Sequence, residues 1–498
     1  MTQRRPSTIW WEQLRRRNVR FLALISLVVV LGARAPAPKP SPPPVPIAAL
    51  SADDIARVDA AVRRAMATYR IPGAEIAIVS NGNILYRHGY GVKNLASQQA
   101  VTSNTRFEIG SITKQFTGAA IMQLVEDGKL SLDDRLVKFI GSYPAANDVT
   151  IRQLLWQTSG IPSYTTDKRF ISLAERRSGT FTAMLDLISN KPLRFTPGSR
   201  FEYSNSNYIL LGRIVELASG QTYTDYLFSH VIEPAGMTQT ATIGNEAQLS
   251  DFATGYGPNK SGTKLTRAPR FGSGWAWSAG YLVSNVGDVA AWDNAFFGGQ
   301  VIAPKDVTLA ASPGTLSDGK ATMYGFGWVI DSQYGHRRIW HNGGTFGYSA
   351  SNMTYPDDHL AIIALFNQVQ APAESITARI FDALHPEIIP VHPTPAPNED
   401  LSVTARAKEW IHRIQTGRID RTQLSATMSK ALTPELVAGA KAQFGRFGPT
   451  RTLTYLGNTV QGSSTVYIYR VDFGSDSLNL ILSIDSTGKI DGLLFRPI

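Results

Sequence analysis

The most informative stretch of the chain is Glu108-Ile-Gly-Ser-Ile-Thr-Lys-Gln-Phe-Thr117. It contains Ser111 and Lys114, three residues apart. A helix that starts near Ser111 would place both side chains on one face, less than a turn apart. A serine hydroxyl is a weak nucleophile at neutral pH, and a desolvated lysine can accept its proton. The free backbone N–H groups at a helix N-terminus would lie where a developing oxyanion needs donors.

The Ser-x-x-Lys pattern is weak by itself, because it occurs four times in the chain. Three copies enclose a glycine and are typical of turns; they begin at Ser261, Ser317 and Ser486. Only Ser111 opens an apolar run with helical spacing, and Gly128 closes that run. The residues that recur every four positions are Ile112, Phe116, Ala120 and Leu124. Ser111 is therefore the candidate nucleophile, provided that the chain supplies its partners.

Composition argues against a nucleic-acid partner. The 498 residues carry a net charge of +10, but residues 1–39 hold eight basic residues and one acidic residue, a net +7, which leaves +3 for the other 459. A nucleic-acid-binding protein would concentrate basic residues on its folded part. With 43% hydrophobic residues, the chain can form a large core and two or more domains.

The N-terminus is typical of exported proteins. The apolar or small residues of 21–33 are too few for a comfortable membrane span, and they follow a basic segment, as in a signal peptide. Ala33-Arg-Ala35 could be a cleavage site, but Pro36 would hinder cleavage. We expect export to the periplasm or the medium. Residues 1–35 would be a signal peptide or, as the open alternative, an uncleaved anchor that associates with the membrane.

No cofactor or metal is expected. The chain has no cysteine, which excludes disulfides and thiolate metal sites, and its eight histidines are scattered. There is no His-Glu-x-x-His zinc motif and no Gly-x-Ser-x-Gly nucleophile elbow. Glycine-rich phosphate-binding motifs in a strand–helix context are also missing from the sequence.

Two proline-rich segments divide the chain. Residues 36–49 and 386–400 are predicted to be extended linkers. They separate a main domain over 50–385 from a small α+β domain over 401–498, which is within the usual range of domain sizes. In the small domain, a mostly helical part over 401–445 precedes four strands, predicted at 452–455, 466–473, 478–484 and 490–495.

The main domain has strands at both ends and helices between them. A helix over 51–70 precedes strands at 74–79 and 84–90, and further strands are predicted at 328–330, 338–340, 349–355 and 360–366. The sequence therefore predicts an α+β fold, in which an antiparallel sheet is completed by the two ends of the domain and flanked by a helical region.

Tyr203-Ser204-Asn205 is the only Tyr-x-Asn in the chain, and it lies in a loop before a helix. A tyrosine near a lysine can share its proton traffic, since the positive charge favours phenolate. An asparagine can donate to a substrate carbonyl and accept from the lysine. Taken alone, the pattern is more typical of a turn asparagine beside a packed tyrosine.

His341-Asn342-Gly343-Gly344 is predicted to connect two strands. Its glycines would let a substrate lie against the strand edge. The backbone N–H of Gly344 could pair with that of Ser111 as an oxyanion hole, and His341 could donate to a substrate carboxylate. Taken alone, the motif is more typical of a simple hairpin turn.

In this order, the Ser111, Tyr203 and His341 motifs resemble those of the serine β-lactamase-related and penicillin-binding-protein-like hydrolases. This group includes class C β-lactamases, D-alanyl-D-alanine carboxypeptidases, D-aminopeptidases and β-lactamase-like esterases. Matching elements occur in the same order over roughly 50–385; they include Pro72-Gly73, Gly89-Tyr-Gly91, Thr158-Ser-Gly160, Pro197-Gly198, Tyr324-Gly-Phe-Gly-Trp328 and Gly347-Tyr348. The small domain loosely resembles cystatin-like or NTF2-like accessory domains.

The resemblance implies an acyl-enzyme at Ser111, a proton relay through Lys114 and Tyr203, and substrate binding by Asn205, His341, Gly343 and Gly344. The substrates would be small esters, or amides and peptides that contain D-amino acids. His341 stands where true β-lactamases carry lysine, and histidine titrates near neutral pH. Carboxylate recognition would then be weak or pH-dependent, so at most weak β-lactamase activity is expected. Tyr281 stands where many relatives carry glycine and would narrow the pocket.

Two other functions remain open at this stage. The chain could be a non-catalytic binder of cell-wall peptide that keeps the penicillin-binding fold, although both Lys114 and Tyr203 are present. Alternatively, the small domain could carry a signalling or scaffold function.

Overall fold

The computed structural model describes residues 47–175, 178–244, 249–259, 262, 264–269, 272, 274–388, 395–461, 464–473 and 477–497. These residues form two compact units that divide between Leu384 and His385. The large unit takes in residues 47–259 and 264–384, and the small unit follows it. The N-terminal segment predicted to be a signal peptide or anchor lies outside the described residues. Within the described part, no helix is both long enough and apolar enough to cross a membrane.

The large unit contains eleven named α-helices among its described residues. They are α1 Ala52–Tyr69, α2 Thr113–Glu126, α3 Ile151–Leu155, α4 Phe170–Ala174, α5 Phe181–Leu185, α6 Asn205–Ser219, α7 Tyr223–Leu227, α8 Trp277–Gly280, α9 Val286–Phe297, α10 Pro304–Ala310 and α11 Ala373–Leu384. Its strands are β1 Gly73–Ser80, β2 Asn83–Gly91, β3 Phe107–Glu108, β4 Ala241–Thr242, β5 Tyr256–Pro258, β6 Leu265–Arg267, β7 Leu282–Ser284, β8 Val329–Gln333, β9 His336–Gly344, β10 Ser349–Tyr355 and β11 Leu360–Phe366.

The central sheet joins both ends of the large unit, as predicted. Its order is β2-β1-β11-β10-β9-β8, and every neighbouring pair is antiparallel. Ile78 on β1 lies opposite Ile362 on β11, so strands from opposite ends of the unit pair directly. Strands β1, β10 and β11 are buried along their whole length. The predicted α+β architecture is confirmed.

Helices cover both faces of this sheet, because alternate side chains of each strand point to opposite faces. On one face, Phe381 of α11 stacks on Tyr355 of β10, with ring centroids 4.0 Å apart. On the other face, the helical region forms the main core, where Phe116 of α2 packs on Trp292 of α9 at 4.1 Å. Helix α2, which follows Ser111, is therefore held inside the protein between the sheet and the helical region.

The helix predicted to start near Ser111 is confirmed: Ser111 lies in a 3₁₀ turn, Gly110–Ile112, and α2 begins at Thr113. One local prediction at the site is corrected. The residues 341–344 do not form a hairpin turn, because β9 continues through Gly344. Strand β8 pairs with β9 only as far as Trp340, so the last part of β9 extends beyond its neighbour and offers a free edge on that side.

The small unit is a separate α+β domain, as predicted. Its strands form one antiparallel sheet in chain order: β12 Thr452–Gln461, β13 Ser464–Asp472, β14 Ser477–Asp485 and β15 Ile490–Pro497. Its helices are α12 Leu401–Thr416, α13 Ala426–Ala431 and α14 Pro434–Phe444. Trp410 of α12 is fully buried in a core with Tyr469 and Leu480 of the sheet. The unit thus has a core of its own.

Helix α6 tests the packing of the helical region. Leu211 is fully buried, whereas Leu217 on the same helix is 44% exposed. We expect Leu211→Ala to lower the free energy of unfolding by about 2 to 5 kcal/mol, because it leaves a cavity in the core. Leu217→Ala is the matched control and should cost well under half of that. Urea unfolding of both variants measures the difference; equal losses would contradict this packing.

Candidate active site

The Lys114 amine is the centre of the candidate site. It is fully buried on the first turn of α2, and Nζ lies 3.0 Å from Ser111 Oγ, 2.9 Å from Asn205 Oδ1 and 2.6 Å from the Ala279 carbonyl oxygen. Burial lowers the pKa of Lys114 well below its ordinary value, because an ammonium ion loses its hydration there. No carboxylate stands among these three partners to hold the charge. The neutral amine is therefore favoured more strongly here than in an exposed lysine.

The neutral amine has two N–H donors and one lone pair. The Ala279 carbonyl and Asn205 Oδ1 are acceptors and use both donors. In the structure Nζ donates to Ser111 Oγ at 3.0 Å, and a neutral amine would direct its lone pair at that same hydroxyl. This is the arrangement that a general base needs in order to activate a serine.

Tyr203 also contacts Ser111, since its hydroxyl shares a hydrogen bond with Oγ. The Tyr203 ring centroid lies 5.0 Å from Lys114 Nζ. Burial raises the pKa of Tyr203 above its ordinary value, although the bond with Ser111 opposes this. Burial thus favours the phenol form of Tyr203, contrary to the expectation that a lysine charge would favour phenolate, and a phenol is suited to donate a proton.

Asn205 is the first residue of α6 and faces Lys114. While Oδ1 accepts from Lys114, Nδ2 donates to Thr165 Oγ1 at 3.3 Å. The backbone N–H of Asn205 donates to Ser163 Oγ at 3.2 Å. The loop that holds Ser163 and Thr165 therefore fixes the asparagine, and one N–H of its amide stays available for a substrate.

His341 lies on β9 and is 2% exposed. Its Nδ1 donates to its neighbour's backbone carbonyl, that of Asn342, at 2.5 Å, so Nε2 accepts from the Tyr324 hydroxyl at 2.9 Å. Burial lowers the pKa of His341 to about 3. The expectation of titration near neutral pH is therefore wrong. Both ring nitrogens are engaged, so neither is placed to donate to a substrate carboxylate.

The backbone of Ser111 lies against the free edge of β9. A Cβ at Gly110, where φ is +52°, would lie 2.6 Å from Gly344 N, and a Cβ at Gly343 would overlap the Ile109 carbonyl oxygen. Only glycine allows this approach. Gly343, expected to contact substrate, faces the serine turn instead. A Cβ at Gly344 would meet no atom within 4 Å, so the space beside this residue is open. The Gly344 backbone N–H lies beside the Ser111 turn, as an oxyanion hole requires.

Comparison with known proteins identifies the family of the large unit. A family model described as Beta-lactamase matches residues 58–385. The chain belongs to the beta-lactamase family. The resemblance drawn from the sequence motifs is thereby confirmed, and the large unit has the fold of the serine hydrolases of that family.

Individual relatives of the beta-lactamase family are distant from this chain. Protein flp of Staphylococcus aureus (strain MRSA252) is 30% identical over 328 residues, which are 64% of this chain and 64% of that protein. The structure of the octameric penicillin-binding protein homologue from Pyrococcus abyssi is 24% identical with a TM-score of 0.61, covering 86% of this chain and 90% of that one. The D-amino acid amidase from Ochrobactrum anthropi SV3 is 22% identical with a TM-score of 0.59, covering 67% and 99%. At these identities the two structures show the shared fold.

Some residues of the site were not singled out from the sequence. Tyr324 bonds His341, and Ala279 holds Lys114 through its backbone. Tyr324 was visible only as part of a family motif, and a backbone acceptor leaves no sequence signal. Tyr281, expected to narrow the pocket, is buried instead, with its ring 5.9 Å from that of Tyr223 and its hydroxyl bonded to Thr224. Among the residues described, no group of three potential metal ligands is clustered.

The buried Lys114 predicts a specific pH dependence of stability. Below pH about 10.5 the unfolded lysine is protonated and the folded one is neutral, so stability gains up to about 1.4 kcal/mol per pH unit as the pH rises toward that value. Lys114→Met lacks this contribution. We expect the unfolding free energy of the wild type to rise relative to that of Lys114→Met as the pH rises from about 7 to 9. Denaturant unfolding at each pH measures it, and a constant difference would show a charged Lys114.

The two glycines of β9 form a matched pair. We expect Gly343→Ala to lower the rate of Ser111 acylation at least about tenfold, because the methyl group pushes the serine turn away from β9. Gly344→Ala keeps its N–H and enters open space, so it should stay within about threefold of the wild type. Acylation by a fluorophosphonate, followed by intact mass, measures both. A similar loss in the two variants would contradict the close approach at Gly343.

Proposed function

We propose that the chain is a serine acyl hydrolase that forms an acyl-enzyme at Ser111. The single observation that carries the proposal is the buried Lys114 amine 3.0 Å from Ser111 Oγ. It supplies the base that the serine needs, at a position where no water has to be recruited. The family membership of residues 58–385 supports the same class of chemistry.

In the proposed reaction, Ser111 Oγ attacks the substrate carbonyl carbon while its proton passes to Lys114 Nζ. The carbonyl oxygen becomes an oxyanion that accepts from the N–H groups of Ser111 and Gly344. Tyr203 donates a proton to the departing alcohol or amine and regains one from Lys114. Water then attacks the acyl-enzyme ester and gives its proton to the same relay, which returns the proton to Ser111 Oγ as the acid leaves.

The proposed substrates are esters, or amides and peptides with a D-amino acid. The D-amino acid amidase from Ochrobactrum anthropi SV3 shares the fold, which favours trying such amides. The neutral and fully engaged His341 supports at most weak turnover of β-lactams, because their carboxylate would meet no cation on that part of β9.

We also propose, from the sequence of residues 1–35 alone, that the chain is exported and acts on small molecules outside the cytoplasm. Fusion of residues 1–60 to alkaline phosphatase, which folds only after export, tests this.

Labelling with a fluorophosphonate tests the nucleophile. We expect the full chain to gain the mass of one adduct, because an activated serine attacks phosphorus, and Ser111→Ala to gain none. Ser317→Ala, at another Ser-x-x-Lys, is the control and should label normally. Lys114→Ala should label about 100- to 10,000-fold more slowly, since it loses the base. A folded wild type without an adduct would favour the non-catalytic binder of cell-wall peptide.

Substrate preference tests the role of His341. We expect kcat/KM for a neutral p-nitrophenyl ester to exceed that for benzylpenicillin at least about 100-fold. Because His341 does not titrate near neutral pH, its substitution by Asn should leave the shape of the pH–rate profile between about pH 5 and 8 unchanged. A profile that loses an acid limb in His341→Asn would show that the histidine titrates after all.

A further inference from the structure

A buried polar cluster outside the proposed relay lies beside the nucleophile helix. It consists of Gln115 on α2, Asp293 on α9 and Asn352 on β10, and we call it the amide–carboxyl cluster. Gln115 and Asn352 are fully buried and Asp293 is 4% exposed. Burying a carboxyl group and two amides is costly unless their hydrogen bonds are satisfied. The presence of such a cluster inside the core therefore suggests that it has a function that offsets this cost.

One hydrogen-bond chain joins its members. Asn352 Nδ2 donates to Asp293 Oδ1 at 2.7 Å and lies 3.3 Å from Gln115 Oε1. Gln115 Oε1 also accepts from the Trp292 indole at 3.0 Å. Three elements that are far apart in sequence, α2, α9 and β10, meet at this one point.

The donors of the cluster are too few for an ionised carboxylate. Asp293 Oδ1 receives one N–H, and Oδ2 has no hydrogen-bond partner among the described residues. A buried carboxylate that accepts from one donor would be poorly stabilised. The protonated acid, with its proton on Oδ2, carries no charge that needs further donors. Burial raises the pKa of Asp293 to about 8, against the opposing bond from Asn352; no charged side chain contributes, since Lys114 points to Ser111.

The cluster connects to both halves of the candidate site. Gln115 directly follows Lys114 on α2, so anchoring its side chain fixes the rotation of the helix that presents Lys114. Asn352 of β10 lies opposite His341 of β9, and His341 precedes Gly344 by three residues on that strand. A displacement of α2 relative to this part of the sheet would separate Ser111 from the Gly344 edge.

We propose that Asp293 is a positioning residue for acyl transfer, which holds the nucleophile helix against β10 through its hydrogen bond to Asn352 and through Gln115. The inference rests on the proposed function of Ser111. It assigns Asp293 no contact with substrate.

Two substitutions in the full chain separate this role from simple packing. Asp293→Asn retains an acceptor for Asn352 and a donor in place of the acid proton, so kcat for p-nitrophenyl acetate at about pH 6 should stay within about threefold of the wild type. Asp293→Leu has a similar size but no acceptor. It should lower kcat at least about tenfold with KM little changed, because geometry rather than binding is lost.

The pH dependence gives a readout that packing would not move. The rate of fluorophosphonate labelling of the wild type should fall between about pH 7 and 9.5, as Asp293 ionises. The rate for Asp293→Asn should not fall over this range. The exposed Asn294→Asp, an amide–carboxyl exchange at the next residue of α9, is the matched control and should keep the wild-type profile. It loses only a bond to the Gly82 carbonyl.

Stability supplies a second measurement if Asp293→Leu does not fold. The folded acid keeps its proton where the unfolded one has lost it, so the urea midpoint of the wild type should fall relative to that of Asp293→Asn as the pH rises from about 4.5 to 7. Parallel midpoints would show an ionised Asp293 and overturn the proposal.

The outcomes distinguish this inference from the proposed function. If the wild type labels at Ser111 but Asp293→Leu reacts at the wild-type rate, Asp293 does not position the helix. If Asp293→Asn is as slow as Asp293→Leu, the carboxylate and not the neutral acid is required. If the folded wild type does not label at all, the acyl-transfer function fails, and the positioning role fails with it.

Discussion

The site depends on one energetically unfavourable feature, which is the burial of the Lys114 amine without an ionic partner. An ammonium ion in that position loses its hydration and has no carboxylate among its hydrogen-bond partners, so burial lowers the pKa of Lys114 and favours the neutral amine. Neutrality frees one lone pair, and the two fixed acceptors leave Ser111 as its only target. The same burial keeps Tyr203 a phenol and His341 an uncharged imidazole. The proposed chemistry is thus a consequence of desolvation more than of charge pairing.

The helical region and the sheet each supply part of this environment. Asn205 and the Ala279 carbonyl come from the helical region, whereas the Gly344 edge and His341 come from the sheet. Helix α2 lies between them, and its rotation decides whether Lys114 reaches all of its partners. Large buried aromatic side chains, such as Phe116 against Trp292, hold the helix on one side. The amide–carboxyl cluster adds direction to that contact, because hydrogen bonds specify an orientation that apolar packing alone leaves loose.

Much of this could be predicted from the sequence. β-Branched and aromatic residues together with turn signals placed the strands of the central sheet, and the order of the Ser111, Tyr203 and His341 motifs indicated the family. The prediction failed where tertiary contacts override local pattern. His341 to Gly344 looked like a hairpin turn because of the two glycines, yet they extend β9, and glycine serves there to admit the serine turn. The protonation states of Lys114, Tyr203 and His341 also lay beyond the sequence, since each depends on burial by residues far away in the chain.

The central sheet has a consequence for how the protein reaches its native state. Because Ile78 of β1 pairs with Ile362 of β11, the first strands made during synthesis cannot complete their sheet until the last strands of the large unit have been made. Such long-range pairing is slow, and until it occurs the apolar faces of β1 and the edge beside β9 are unprotected. Ser111 and Gly344 also come from segments of the large unit that are far apart in the sequence. A truncated or stalled chain would therefore hold its nucleophile helix without an oxyanion edge, and it would be prone to aggregate before it could react with anything.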